Sequence, residues 1–303
     1  MGNTIAGANL AEIAQESLPS MTSTFIPLNA FTTDFSTDIK NRGESVTTRY
    51  PTNPTAQNLA TNYTPTDVAM TSIKVDLDTF YGFVWQFNDV ERSKSSIHLN
   101  SLFIQPAIAA VATKVFGDLW NLVADANYAA GGTFPAAGTY EATITAANFD
   151  RDDVADLAQQ LTLNKVPKSG RSLLLHPSHY GALAKDLNAA DSAGQVTTLG
   201  EHRIPRLHGF DVYESQECDA NAVSVAGLAT HKLGALFAAR SVDTEMAAKA
   251  GVEIEDVVIP EVGLPIQFRK WYNPDTGNLI FWMGVLYGVK FGLPGSGCKI
   301  VIA

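Results

Sequence analysis

The 303-residue chain is 46% hydrophobic and 17% charged, and its net charge is −10. The hydrophobic share is enough for a sizeable core in one large domain or two modest ones, while the charged share falls below the usual level of about 25%. The acidic balance, without any long Lys/Arg run, argues against a protein that grips nucleic acid backbones, and two cysteines in no metal or redox spacing argue against a disulfide scaffold.

The start, MGNTIAGANLAEIAQESL, has no basic n-region, so it does not read as a secretory signal. Ala6 stands where a myristoylation pattern after Gly2 needs Ser or Thr. Residues 1–40 read as an arm, with one short amphipathic helix around Leu10, Ile13 and Ala14. Residues 41–87 read as a long hairpin. Val46, Thr48 and Tyr50 alternate going out, and Ile73, Val75 and Leu77 alternate coming back. From Ser45 to Thr66 the segment holds seven Thr, three Asn and three Pro, with Arg49 as its one charge. Such a segment has many small hydrogen-bonding groups and little charge to desolvate, so it can lie against another protein surface.

Ser95–Thr113 contains no charged residue, but His98, Asn100, Ser101, Gln105 and Pro106 interrupt it, so no membrane span is expected. The stripe Ile104, Ile108, Val111, Val115, Leu119 and Leu122 predicts a helix of roughly Ser96–Tyr128, about 50 Å long. Pro106 should kink this helix or mark a late true start. Thr139–Ile144 reads as a strand. Asp150 and Asp153 read as a capping pair for a helix whose buried face is Val154, Leu157, Ala158 and Leu161. Ser172–Leu175 reads as a buried strand. Pro177 then opens a helix carrying Tyr180, Leu183, Ala184 and Leu187. Residues 191–203 form a polar loop, Phe210–Tyr213 a strand, and VSVAGLATHKLGALFAAR two buried strands around a turn. This makes 167–240 an αβ block. In the tail, Asn273–Gly277 is a hairpin turn joining LPIQFRKWY to NLIFWMGVLYGVKFG.

Candidate chemical motifs have simpler explanations. GLPGSGCK, Gly292–Lys299, mimics a phosphate-binding loop, but Cys298 and Ile300 break the pattern, so it reads as a turn between strands. His176, Ser178 and His179 could suggest a metal pair or a nucleophile, but no third ligand and no Gly-x-Ser-x-Gly elbow is present. His202 and His208 also lack partners. DRDDVAD, Asp150–Asp156, lacks the glycine and the closing glutamate of a calcium loop. No catalytic, cofactor-binding or metal-binding residue is expected.

The order is an arm, a long hairpin, a very long helix, a β/α body, an inserted αβ block and a closing β tail. It resembles the major capsid proteins of tailed bacteriophages, the Hong Kong 97 fold, an α+β class. The resemblance is carried by residues 71–91 running into IHLNSLFIQPAIAAVATKVFGDLWNLV, by RSLLLHPSHYGALAKDL, by RIPRLHGFDVYES, and by 251–291. It implies an N-terminal arm at 1–40 and an extended loop, or E-loop, at 41–87. It also implies a peripheral P-domain with its spine helix at 88–166, an axial A-domain at 167–240, and P-domain return strands at 241–303.

The same resemblance implies a subunit that self-assembles into pentamers and hexamers of an icosahedral head around double-stranded DNA, with no sequence-specific DNA contact. E-loop contact residues would be Arg49, Tyr50, Pro51, Asn53, Pro54, Gln57, Asn58 and Tyr63. Axial-loop residues would be Gln195, Thr197, Thr198, Glu201 and Arg203. Implied partners are a scaffolding protein, a portal protein and optionally a decoration protein, with assembly in the host cytoplasm and residence in the virion. Lys40 and Lys74 bracket the loop and no lysine lies between them, so an E-loop lysine crosslink is not expected. Alternative readings are an encapsulin-like nanocompartment shell, a tube protein, or a soluble α/β enzyme using His176, Ser178 or His179.

Overall fold

The computed structural model describes residues 10–31, 45–51, 56–61, 65, 70–88, 104–128, 134–190, 204, 206–220, 224–260, 262–293 and 295–302. The strands are β1 (Ser45–Pro51), β2 (Met70–Asp76), β3 (Thr79–Asn88), β4 (Glu141–Thr143), β5 (Arg171–Leu175), β6 (Phe210–Glu214), β7 (Val225–His231), β8 (Ala235–Arg240), β9 (Glu253–Ile259), β10 (Leu264–Asn273), β11 (Asn278–Phe291) and β12 (Gly297–Val301). The helices are α1 (Leu10–Phe25), α2 (Gln105–Asn121), α3 (Arg151–Leu163), α4 (Pro177–Ala190) and the short α5 (Glu245–Lys249).

Two five-stranded sheets organise these elements. Sheet 1 runs β3-β11-β10-β9, with β8 also pairing with β11; sheet 2 runs β4-β12-β7-β5-β6. The inward alternation of β11 (Leu279, Phe281, Met283, Val285, Tyr287) packs against α2, while α1 lies on β9 and β10 of the same core. On β5, Leu174 faces this same core, while Leu173 and Leu175 face a second core under α3 and α4. Alternate residues of one strand thus serve two cores, the expected result of a period of two. The fold is α+β, with helices both between the sheets and outside sheet 2.

Helix α2 stops short of the expected end at Tyr128. It covers 17 residues, or about 26 Å, with Pro106 in its first turn, where a missing N–H costs nothing. Residues 96–103 of the expected span lie outside the described residues. The C-terminal end comes at Asn121, because 122–128 fold back as a turn in which the Asn127 side chain donates to the Leu122 carbonyl at 2.7 Å. Of the predicted stripe, Ile104, Ile108, Val111, Val115 and Leu119 are buried, while Leu122, just past the helix, is half-buried.

The N-terminal stretch departs further. Helix α1 is 16 residues long, and Met21, Phe25 and Leu28, at intervals of four and three, are fully buried. The Phe25 and Phe116 rings stack at 6.2 Å. The Ser/Thr/Pro punctuation of the sequence hides this apolar spacing.

The segment VSVAGLATHKLGALFAAR also divides differently from the expected block. β7 belongs to sheet 2 and β8 to sheet 1, so the chain crosses between sheets at 232–234. It crosses back at 292–296, between β11 and β12. The two crossings are hydrogen-bonded together, Gly292 N–H to Gly234 O at 2.9 Å and Leu293 N–H to Leu233 O at 3.0 Å. The phosphate-loop mimic is therefore the connection from β11 into β12, the turn between strands that the sequence suggests. Among the described residues no helix is long and apolar enough to cross a membrane.

Candidate functional site

The hairpin is the first candidate surface. β1 and β2 pair antiparallel, with Val46 opposite Val75 and Thr48 opposite Ile73, the register the alternation predicts. Val46, Val75 and Leu77 are buried in a small cluster with Leu236 and Ala238 of β8. The base of the hairpin is therefore anchored to its own subunit. Arg49 is exposed on β1. Tyr50 and Pro51 belong to the same strand. Gln57 and Asn58 are exposed in a turn at the tip, where the Ala60 N–H donates to Asn58 Oδ1 at 3.0 Å and the Thr61 N–H to Asn58 O at 3.1 Å. Beside them Leu59 is 61% exposed, an apolar group the sequence reading passed over. Asn53, Pro54 and Tyr63 lie outside the described residues.

All five axial-loop residues, Gln195, Thr197, Thr198, Glu201 and Arg203, also lie outside the described residues. The far flank of that loop is fixed to α4: Ile204 is buried and its N–H donates to Tyr180 Oη at 2.9 Å. Next to it, His208 and Gly209 take positive φ values of 47° and 89° in a tight turn, which brings Leu207 and Phe210 into a bridge.

His176, Ser178 and His179 do meet, within one turn at the start of α4. Ser178 Oγ lies 2.7 Å from His176 Nδ1 and 3.2 Å from His179 Nδ1. His179 Nε2 donates to the Ile144 carbonyl at 3.1 Å, which leaves its Nδ1 to accept from the Ser178 hydroxyl. Burial pushes the His179 pKa below the ordinary value, and the nearby His176 adds to this, against the hydrogen bond to Ile144. Their closeness in sequence forces the cluster, which ties α4 to the end of β4. The acidic run is equally local. Asp150 accepts from the Asp152 and Asp153 N–H groups, and Asp153 accepts from the Asp150 N–H, a complete capping box. Among the described residues no group of three or more His, Cys, Asp or Glu could hold a metal ion.

Two polar clusters escaped the sequence reading. The Lys299 side chain is fully buried; its Nζ donates to Asp125 Oδ1 and, at 2.9 Å, to Glu141 Oε2. Burial opposes the charge, but hydrogen bonds to both carboxylates outweigh it and hold the pKa above that of an ordinary lysine. This residue joins β12, β4 and the turn after α2. On the other side, Tyr287 donates to Asp118 Oδ2 at 2.6 Å and Lys114 to Asp118 Oδ1 at 2.5 Å, tying α2 to sheet 1. Burial, then the Asp118 carboxylate, pushes the Tyr287 phenol far up.

The second candidate surface is β3, at one edge of sheet 1. Phe80, Tyr81, Phe83 and Val84 are exposed there. The Phe80 ring lies 5.4 Å from Trp282, and the Arg269 guanidinium sits 5.0 Å over that indole. The Lys114 ammonium likewise sits 4.8 Å over the Tyr81 ring, and exposed aromatic rings with arginine are enriched at interface centres.

No family model and no curated protein matches the sequence. Solved phage structures do match over nearly the whole chain. A structure from Mycobacterium phage Che8 superposes with a TM-score of 0.61 at 16% identity, covering 90% of this chain and 89% of that one. The capsid of cyanophage P-SCSP1u gives 0.58 at 14% identity, covering 87% and 84%. The mature capsid of bacteriophage PhiM1 gives 0.56 at 13% identity, covering 88% and 84%. The chain has the fold of phage capsid structures. The resemblance drawn from its sequence therefore stands at the level of fold.

Proposed function

We propose that this chain is the major capsid protein of a tailed bacteriophage, a subunit that assembles as pentamers and hexamers into an icosahedral head around double-stranded DNA. The observation that supports this most is the fold match to phage capsid structures along more than four-fifths of both chains. In this reading 1–40 is the arm, 41–87 the E-loop, 88–166 the P-domain with α2 as its spine helix, 167–240 the A-domain, and 241–303 the P-domain return. The loop at 191–203 would face the five- and sixfold axes, and the hairpin would lap a neighbouring subunit. A head-to-tail contact repeated about an axis closes into rings, so no catalytic group is needed. Scaffolding and portal proteins would be partners in the host cytoplasm, a decoration protein would be optional, and the acidic balance would keep packaged DNA from sticking to the shell.

Electron microscopy of the purified protein, with its cognate assembly proteins supplied, tests the reading. Closed icosahedral shells are expected, and solitary subunits at high concentration would overturn it. Uniform shells with no portal vertex and with protein cargo would point to a nanocompartment. The hydrogen bond from Ser178 to His179 is the observation that favours an enzyme instead. In the capsid reading, Ser178→Ala leaves the yield of shells unchanged.

A further inference from the structure

A pocket of about 320 Å³ lies between the C-terminal end of α3, the start of β5 and the turn 207–210. This is the size of a small-molecule site, about 300–1,000 Å³. Its wall is mostly apolar, with Ala158 and Leu163 in it, and its ionisable residues are all basic: Lys168, Arg171 and His208. In a chain of net charge −10 that is a local reversal of sign. Asp211, just after the turn, faces Arg206 instead, at 3.7 Å. Arg171 is 2% exposed, and an arginine so buried is normally matched by an acid. Here its partners are neutral. Nε donates to Pro167 O at 2.9 Å, Nη1 to Ala158 O at 2.9 Å, and Nη2 to Val166 O at 2.7 Å and Thr162 Oγ1 at 3.1 Å. These bonds close the end of α3, but the second Nη1–H has no acceptor among the described residues. His208 holds a positive φ of 47°, where glycine or asparagine is the usual choice, so the turn carries an imidazole at the pocket against its own backbone preference.

We propose that this pocket binds a monocarboxylate with an apolar tail. The carboxylate supplies the anion that Arg171 lacks and accepts from its remaining Nη1–H. Lys168, exposed and without an acidic partner among the described residues, and the imidazole of His208 give it further donors. The tail covers Ala158 and Leu163, the latter 41% exposed in the free chain. A bare anion such as phosphate leaves that apolar wall wet, and an uncharged apolar molecule leaves the buried guanidinium without a counter-charge. An acid with a tail satisfies both. The ligand joins the end of α3 to the turn that leads into β6, the outermost strand of sheet 2. Binding therefore stabilises the folded subunit. The site stands apart from the capsid reading, since neither assembly nor DNA enters it.

Calorimetric titration of the full chain with sodium octanoate tests this, with thermal unfolding as a second readout. Saturable binding of one octanoate per chain and a midpoint that rises with octanoate concentration are expected. Acetate, which lacks the tail, and octan-1-ol, which lacks the charge, should each bind more weakly by about tenfold or more. Lys168→Gln and His208→Asn should each weaken octanoate by about fivefold. Both variants should keep the midpoint of the unliganded protein, because Lys168 is exposed and asparagine takes a positive φ at least as readily as histidine. No saturable binding of octanoate would overturn the proposal. Octan-1-ol binding as tightly as octanoate would reduce the site to an apolar hollow, and acetate doing so would reduce it to an anion site; either result rejects the ligand class. Variants that bind octanoate like the wild type would place it elsewhere on the chain and reject the pocket.

Discussion

Gly288 of β11 lies against the backbone of Asp76, the last residue of β2, so closely that a Cβ at 288 would come within 1.9 Å of the Asp76 carbonyl oxygen. This contact sets where the hairpin leaves the body. Gly288→Ala forces β2 off β11 and loosens the cluster of Val46, Val75, Leu77, Leu236 and Ala238. Overpacking of this kind costs about 1–3 kcal/mol. Thermal unfolding should show a lower midpoint, and the loss of assembled particles should exceed what that midpoint explains. An unchanged midpoint would mean that the backbone yields there without cost.

The tip can be tested without disturbing its turn. Asn58 accepts the Ala60 N–H through Oδ1, and aspartate would accept it equally well. Asn58→Asp therefore adds a charge and little else. If the tip is pressed on a neighbouring subunit, the subunit keeps its stability while its particles fall apart at lower urea concentration, because the new carboxylate must be desolvated. Equal particle stability in the two proteins would place Asn58 in solvent.

Much of this architecture is legible in the sequence because it is periodic. The stripe of α2, the Asp150 capping box, Pro177 at a helix start and the Asn273–Gly277 turn are local signals, and each is where it was expected. What is not local was missed. Met21, Phe25 and Leu28 are apolar at helical spacing, but only the sheet they pack on shows that they are core. β7 and β8 look alike in composition, and the sheet each joins is set by distant partners, Lys299 opposite Leu228, 71 residues on, and Val289 opposite Phe237, 52 residues on. For the candidate site, the hairpin and its register were legible. The aromatic edge was not, because exposure of Phe80 and Phe83 depends on β3 being outermost.

Lys299 belongs to the same class of hidden feature, a buried cation whose partners come from 174 and 158 residues away in the chain. Lys299→Ala leaves Glu141 facing an apolar gap. Removing one partner of a buried ion pair costs about 3–5 kcal/mol, and the value here should fall at the low end because Asp125 is 71% exposed and screened by water. Lys299→Met keeps the volume and should recover part of the loss. Urea denaturation of the three proteins checks the order, wild type above methionine above alanine.

The buried histidines give stability a pH dependence of definite sign. Burial lowers the pKa of His179 and of His231, with Arg171 and Lys232 adding to the effect on His231. Each is harder to protonate in the fold than in the unfolded chain, where it titrates near the ordinary value of about 6.5. Below that value the unfolded chain binds more protons than the folded one, so stability falls as pH drops through about 6.5 and returns above it. The urea midpoint should therefore be lower near pH 5 than near pH 7.5. His179→Gln keeps a donor for the Ile144 carbonyl and removes one titrating group, so its profile should be flatter than that of the wild type. A variant with the wild-type slope would show that His179 is not one of the groups that titrate with unfolding.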